Sequence, residues 1–419
     1  MHALGFTEPT PVQLAAIPPA LEGRDVLASA STGSGKSAAF GLPLIAALAD
    51  GPRGKTRALI LAPTRELAAQ IAEHLTALAK NTKVRVAAIF GGVGFTPQIG
   101  VFSRGTDIVV ATPGRLLDHL NQKTASLENI THLVIDEADR MLDMGFLPDV
   151  KRVLRHVPTK RQTLFFSATI PPAIATLSKE MLVDPVRVDL APKGAPASGI
   201  AQTVYTVPGE RKLDLLLELL KDNSIFSAIV FTRTKSRANR LAASLTKYEI
   251  VADRIHGDRS QAQRTRALDD FKRSKLRVLV ATDIAARGID VAALGHVINY
   301  DVPMVPEDYV HRAGRTARAQ ATGDAITFVA PDEEKYFSQI ERALGRRLDR
   351  SKLPELGEPR PQDAAPERGP RPMRPSGGGG SRGPRRIGAG SPSHQPPGGN
   401  GRATPQRTGA PPKSRQPAK

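Results

Sequence analysis

Short apolar runs alternate with helix-like stretches along this chain, and the alternation occurs in two series. Arg57 to Ala62, Asp107 to Val110 and Thr163 to Phe166 read as buried strands, and Glu66 to Ala79 has helical spacing. A second series places strands at Ala228–Phe231, Val278–Ala281 and His296–Asn299, with helices at Lys212–Leu220, Ser236–Leu245 and Gln263–Phe271. Such alternation predicts an α/β fold, because neighbouring parallel strands must be joined by a crossover and the crossover is usually a helix. Each series predicts one mostly parallel sheet with helices on both faces, and ligands then sit beyond the carboxyl ends of the strands. Between the series, Ala191 to Gly199 is small and rich in Pro and Gly, and reads as an interdomain linker. The expected division is a first domain over 1–190, the linker over 191–199, a second domain over 200–350 and a tail over 351–419.

The tail expectation comes from composition. Residues 351–419 hold no aromatic residue and carry thirteen Lys and Arg against four Asp and Glu, a net of +9. That is half of the +18 of the whole chain, placed in its last sixth. A segment this dense in Pro, Gly and Arg cannot bury enough apolar surface to offset chain entropy, so a disordered basic tail is expected. Nucleic acid is the natural polyanionic partner for the surplus, since neutralising phosphates releases condensed counterions. The 419 residues suffice for two domains plus an extension, and 40% apolar content allows cores of normal size. With no cysteine, disulfides and thiolate metal sites are excluded. No apolar run reaches membrane-spanning length and the N-terminus has no signal pattern, so a soluble cytoplasmic protein is expected.

Two motifs carry chemistry. Ala30-Ser31-Thr32-Gly33-Ser34-Gly35-Lys36-Ser37 follows the apolar run Val26-Leu27-Ala28 and precedes a helix-like segment. Glycines let the backbone fold round a phosphate while N–H groups at the helix start point at it. Lys36 supplies a point charge and Ser37 a hydroxyl for a metal ion. The strict phosphate-loop pattern wants Gly where Ala30 stands. About a hundred residues on, an apolar run ending at Ile135 delivers Asp136 and Glu137 to a strand end. A carboxylate there can hold magnesium through its water shell, and its neighbour can polarise an attacking water.

Asp136-Glu137-Ala138-Asp139 spells the name of the DEAD-box RNA helicases, and the chain resembles that family along almost its whole folded length. The other family motifs occur in order: Gly5 to Gln13, Pro63-Thr64-Arg65-Glu66-Leu67-Ala68, Gly91-Gly92, Thr112-Pro113-Gly114-Arg115, and Ser167-Ala168-Thr169. Then come Val230 to Lys235, Gln261 to Arg264, Ala281-Thr282-Asp283 leading to Arg287-Gly288-Ile289-Asp290, and His311 to Arg318. The flavour is similar to the bacterial RhlE-like subgroup. The resemblance implies two tandem RecA-like domains that share one site, ATP and Mg2+ as its ligands, and RNA-dependent ATP hydrolysis that separates short duplexes or remodels RNA–protein complexes.

Residue roles follow from the matched motifs. Gln13 is expected to read the adenine edge, since an amide offers donor and acceptor. Phe6 either lies against the base or packs in the core, and Thr10 ties this segment to the phosphate loop. Ser31, Thr32, Gly33, Ser34, Gly35 and Lys36 cradle the phosphates, while Ser37 and Asp136 hold the metal. Glu137 orients and deprotonates the attacking water. Arg315 and Arg318, three apart on a predicted helix, match the arginine fingers, and Asp290 matches the ribose contact. Pro63, Thr64, Arg65, Gly92, Thr112, Gly114 and Arg115 match RNA contacts on the first domain. Thr232, Arg233, Gly257, Arg264, Thr282 and Arg287 match them on the second. Ser167 and Thr169 are expected to bond Asp139 and His311 and, with Arg312, to couple nucleotide state to domain position.

Some positions depart from the family. Ser31 replaces a usual Gln, Ser37 a commoner Thr, and Ala313 a larger aliphatic residue. The aromatic that the family carries upstream of its adenine-reading Gln would precede Met1, so either the start is late or adenine stacking is weakened. Two other readings stay open at this level. An ATP-gated RNA clamp with slow turnover would differ in RNA residence time relative to ATP turnover, and a DNA translocase of the same superfamily would be stimulated by DNA. The RNA partner could come from ribosomal precursors, RNA decay or cold adaptation, and the core is expected to be monomeric.

Overall fold

The structure of the protein, a computed structural model, describes residues 7–31, 33–190, 200–286, 294–316 and 323–358. Phe6, Thr32, Arg287, Asp290 and Arg318, the linker 191–199 and the tail from 359 onward lie outside the described residues.

The first lobe begins with α1 (Pro11–Leu21) and is built on β1 (Val26–Ser29), β2 (Ala58–Leu61), β3 (Val86–Ile89), β4 (Ile108–Ala111), β5 (His132–Ile135), β6 (Gln162–Ser167) and β7 (Val186–Asp189). These form one parallel sheet in the order β3-β4-β2-β5-β6-β1-β7. The crossovers are α2 (Lys36–Ala49), α3 (Arg65–Leu78), α4 (Phe95–Ser103), α5 (Pro113–Asn121), α6 (Ala138–Asp143), α7 (Leu147–Leu154) and α8 (Pro172–Met181). Strand side chains alternate between faces, so each central strand feeds two cores. Ala58, Ile60, Val134, Leu164 and Phe166 pack with Phe40 and Leu44 of α2 on one face. Leu59, Leu61, Leu133, Ile135 and Phe165 pack with Leu116 and Met141 on the other. Covered on both sides, these strands read as continuous apolar runs rather than alternating ones, which makes them conspicuous in the sequence.

The second lobe repeats the plan. Its strands are β8 (Ile200–Thr206), β9 (Ala228–Phe231), β10 (Ala252–Ile255), β11 (Val278–Ala281), β12 (His296–Asn299), β13 (Gly323–Val329) and β14 (Arg350–Ser351). They lie parallel in the order β10-β11-β9-β12-β13-β8-β14, the same permutation as in the first lobe. The helices are α9 (Lys212–Leu219), α10 (Lys235–Lys247), α11 (Gln261–Lys272), α12 (Asp283–Ala286), α13 (Pro306–Ala313) and α14 (Glu334–Leu344). β8 leads to α9 as β1 leads to α2, and both helices open on a lysine, Lys212 and Lys36.

A tail that begins at Ser351 needs correction at its start. Ser351 pairs beside β8, and Leu353 and Leu356 pack against the core of the second lobe. Two leucines supply local apolar surface that the composition of the whole segment hides. Among the described residues, no helix is long and apolar enough to cross a membrane.

Candidate nucleotide and RNA site

The loop after β1 is held from several sides. The Ala30 N–H donates to Ser167 O at the end of β6 (3.0 Å), and both the Ser34 N–H and its hydroxyl donate to Ser31 O. Gly33 and Gly35 have φ of +83° and +93°, the left-handed region that glycine enters without penalty. Gly35 is also required by space: a Cβ there would stand 2.6 Å from Gln13 Nε2 and 2.9 Å from Thr10 Oγ1. Gln13 donates to Gly35 O (3.1 Å) and accepts from the Thr10 N–H (3.0 Å). Gln13 therefore makes the hydrogen bond that ties this segment to the loop. Thr10, expected in that part, touches the loop only by packing, and its hydroxyl is buried without a partner. Lys36 is buried, and its ammonium donates to Ala30 O (2.9 Å), across the loop it closes.

Just past the end of β5 the chain places Asp136, Glu137, Asp139 and Arg140 in quick succession, all buried. Glu137 adopts φ +53°, unusual for a residue with a Cβ, and acts as the N-cap of α6. Its N–H donates to Asp136 Oδ1 (3.0 Å). Its carboxylate forms an ion pair with Arg140 through Oε2 and Nη1. Burial raises the Glu137 pKa, but Arg140, Lys36 and Arg315 outweigh it and hold the group down at about 2. Asp136 goes the other way. Burial pushes it up to about 6, and the charges of Glu137 and Asp139 add to this against the pull of Lys36.

A desolvated carboxylate under this electrostatic load fits a cation. The available donors, Asp136 and the half-buried Ser37, are hard oxygens, which suit Mg2+ completed by water and substrate phosphate. Among the described residues no cluster of three or more side chains could cage a metal alone. The raised pKa also has a stability consequence. A carboxyl with a folded pKa above its unfolded value contributes stability at low pH that is lost as pH rises through the folded pKa. An amide at this position never charges. In nucleotide- and metal-free protein, Asp136→Asn is expected to stabilise by about 1–3 kcal/mol near pH 8, the gain shrinking as pH falls through about 6. Thermal unfolding in a chelator across that range measures it, and a gain that does not vary with pH would refute it.

The expected coupling residues are partly joined. Asp139 Oδ2 accepts from both the N–H and the hydroxyl of Thr169 (2.8 and 3.0 Å), and the Asp139 N–H donates to Ser167 Oγ (3.0 Å). Ser167 in turn donates to Thr169 O (2.7 Å). No described hydrogen bond runs from this cluster to His311, whose Nδ1 is buried without a partner. Burial, with Arg140 and Arg315 nearby, lowers the His311 pKa to about 4, so the ring is neutral at pH 7. Arg312 is committed inside its own lobe. It grips both oxygens of Asp283 (2.6 and 2.7 Å), donates to Asp301 O and Asn299 Oδ1, and lies over the Phe231 ring.

Arg315 does not stand on a helix. α13 ends at Ala313 with Gly314 as its cap, and the next N–H groups bond three residues back in tight turns, Arg315 to Arg312 O and Thr316 to Ala313 O. The turn buries Arg315 and brings it to a cleft between the lobes that Arg140, His311 and Arg312 also line. A second junction joins the lobes. Glu66 in the first turn of α3 accepts from Gln261 Nε2 (3.0 Å) and pairs with Arg264 (2.8 Å), both on α11.

Comparison with known proteins decides the family. The DEAD/DEAH box helicase model matches residues 10–177, and the helicase conserved C-terminal domain model matches 211–320. The DEAD-box ATP-dependent RNA helicase CshA of Bacillus subtilis is 44% identical over 358 residues, covering 85% of this chain and 72% of that protein. CshA of Listeria monocytogenes is 45% identical over 354 residues, covering 84% and 68%. The chain belongs to the DEAD-box ATP-dependent RNA helicases. It is an RNA-dependent ATPase and helicase with two tandem RecA-like lobes. Among solved structures, Saccharomyces cerevisiae Dbp5 bound to RNA and ADP BeF3 aligns with a TM-score of 0.75 at 31% identity, covering 84% of this chain and 92% of that one. Mss116 bound to ssRNA and UDP-BeF aligns at 0.78 and 28% identity, covering 85% and 77%.

In this DEAD-box helicase the motif residues of the first lobe gather at the carboxyl ends of β2, β3 and β4. Pro63 is buried there, Thr64 caps α3 by accepting from the Leu67 N–H (3.2 Å), and Thr112 precedes α5. A Cβ on Gly114 would meet open space. Arg115 donates to Val93 O (3.1 Å) and lies over the Phe95 ring. Arg65 fills the room above Gly91 and Gly92, and a Cβ on Gly92 would stand 1.9 Å from its Nη1.

On the second lobe, Gly257 follows β10 and Thr282 follows β11, but three matched residues are engaged within the protein. Thr232 is fully buried. The Arg233 side chain pairs with Glu333 (2.7 Å), and Arg264 holds Glu66. The sequence motifs assign these three to RNA and give no sign of the acidic partners of the two arginines. Glu66 reads there as part of a helix start, and Glu333 belongs to no motif. The spacing of Arg140 three residues after Glu137 was the one available signal for the ion pair.

Proposed function

We propose that RNA drives the helicase cycle by bringing the two lobes together over ATP, and that hydrolysis follows because the site is divided between them. The division itself supports this most directly: Lys36, Asp136 and Glu137 stand on the first lobe, while His311 and Arg315 enter the shared cleft from the second. The phosphate-loop amides and Lys36 bind the phosphates. Glu137 orients the attacking water and takes its proton, and Arg315 stabilises charge on the transferring phosphoryl group. Mg2+ held by Ser37 and Asp136 would neutralise phosphate charge. The Asp139–Thr169–Ser167 bonds fix the strand-end turn beside the acid pair, so a shift in one is felt by the other.

RNA lies along helix starts and backbone turns in this reading. Such contacts go to phosphate and sugar and carry little sequence information, so the helicase is expected to prefer ribose polymers without preferring a sequence. Dbp5 and Mss116, each bound to RNA together with a nucleotide analogue, support joint binding of the two ligands. ATP turnover should rise many-fold with RNA and not with DNA of equal sequence. Gly92→Ala, which displaces Arg65 and strains a φ of +79°, should raise the RNA concentration for half-maximal stimulation by about tenfold, roughly one charged hydrogen bond. The saturated rate should be spared. Equal turnover with and without RNA would overturn the reading.

A further inference from the structure

We propose that Arg140 is a positioning residue for hydrolysis: it holds the Glu137 carboxylate in place and links it to His311 across the lobe boundary. The proposal rests on the reading of Glu137 as the base. At φ +53° the Glu137 backbone turns left-handed just before α6, and its side chain meets the residue three positions on. The turn thus sets the N-cap side chain against that of the third helical residue, so the partner's identity is decisive. A guanidinium is planar and forked, and can fix the direction of a carboxylate as well as its charge. The contact uses Oε2 of Glu137, which leaves Oε1 to take the water proton in that reading.

The rest of the guanidinium carries the second half of the inference. Arg140 is 2% exposed, yet its Nε and Nη2 are buried with no hydrogen-bond partner. Orphaned donors on a buried charge are costly and are seldom tolerated without a role. Arg140 lines the same cleft as His311 and Arg315, which belong to the other lobe. His311 Nδ1 is buried and equally without a partner. A neutral imidazole nitrogen can accept and the spare Arg140 N–H groups can only donate, so the two orphans are complementary. Joining them as the lobes tighten would satisfy both and would connect the base to lobe position through one side chain. Of the two acids that line the cleft, Asp283 is already held by Nε and Nη2 of Arg312, and Asp308 stands in the first turn of α13.

The test compares Arg140→Gln, Arg140→Lys and Glu137→Gln with the double variant Arg140→Gln/Glu137→Gln in the full chain. Arg140→Gln should lower the RNA-saturated kcat by between about tenfold and 10²-fold, the scale of a misplaced reacting group. ATP KM, nucleotide affinity by fluorescent ADP, and RNA affinity should stay within about twofold, a split that general unfolding would not produce. Arg140→Lys, which keeps the charge, should recover part of the loss. In the Glu137→Gln background, Arg140→Gln should have no further effect. If Arg140→Gln turns over like the parent, or lowers the residual rate of Glu137→Gln by its full factor, the positioning role is wrong. If Glu137→Gln itself turns over normally, the base assignment has failed instead.

Discussion

Glu137→Gln is expected to bind ATP and RNA like the parent and to hydrolyse ATP about 10²–10⁴-fold more slowly, the usual worth of a positioned general base. The amide keeps the size and the left-handed backbone but cannot take a proton. It also removes one of the negative charges that raise the Asp136 pKa and that repel a phosphate, so nucleotide binding should not suffer from the lost charge. The carboxylate pKa of about 2 means that Glu137 is ionised before the reaction, which a base requires. Single-turnover hydrolysis at saturating RNA, alongside equilibrium binding of a fluorescent nucleotide, separates the two effects. Turnover at the parental rate would remove Glu137 from the mechanism.

Arg315→Ala is expected to cost about 10³–10⁵ in RNA-stimulated turnover, as removal of an arginine finger does. The residue is held for such a task. It is 4% exposed, sits in the turn that closes α13, and enters the cleft beside Arg140 from the opposite lobe. Arg315→Lys should recover little, because an ammonium lacks the fork that spans two phosphoryl oxygens. ATP affinity without RNA should change far less than the rate, since the finger acts only when the lobes meet. An equal loss in RNA-free nucleotide affinity would make Arg315 a ground-state ligand rather than a finger.

Much of this was legible because backbone chemistry leaves strong marks. Buried parallel strands read as apolar runs, and Gly33, Gly35 and Lys36 mark a phosphate loop through the conformations and charge that such a loop demands. Side-chain pairing leaves weaker marks. Nothing local to Arg264 says that Glu66, on the other lobe, will hold it, and nothing near Arg233 announces Glu333. Helix periodicity also missed the break after Ala313, because Arg315 and Arg318 have helical spacing while Gly314 ends the helix before them. The start of the tail failed for a similar reason. Composition averages over a segment, and Leu353 and Leu356 act singly.

The repeated strand order has an asymmetric outcome. Lys212 opens α9 where Lys36 opens α2, but its ammonium is already satisfied by the Glu333 carboxylate and by Tyr300 O (2.8 Å), with Lys212 only 1% exposed. An internal acid fills the position that a phosphate would otherwise claim. Among the described residues the duplicated architecture thus leaves only the first lobe's lysine to meet a phosphate, and dependence of velocity on ATP should be hyperbolic, one fuel molecule per closing stroke.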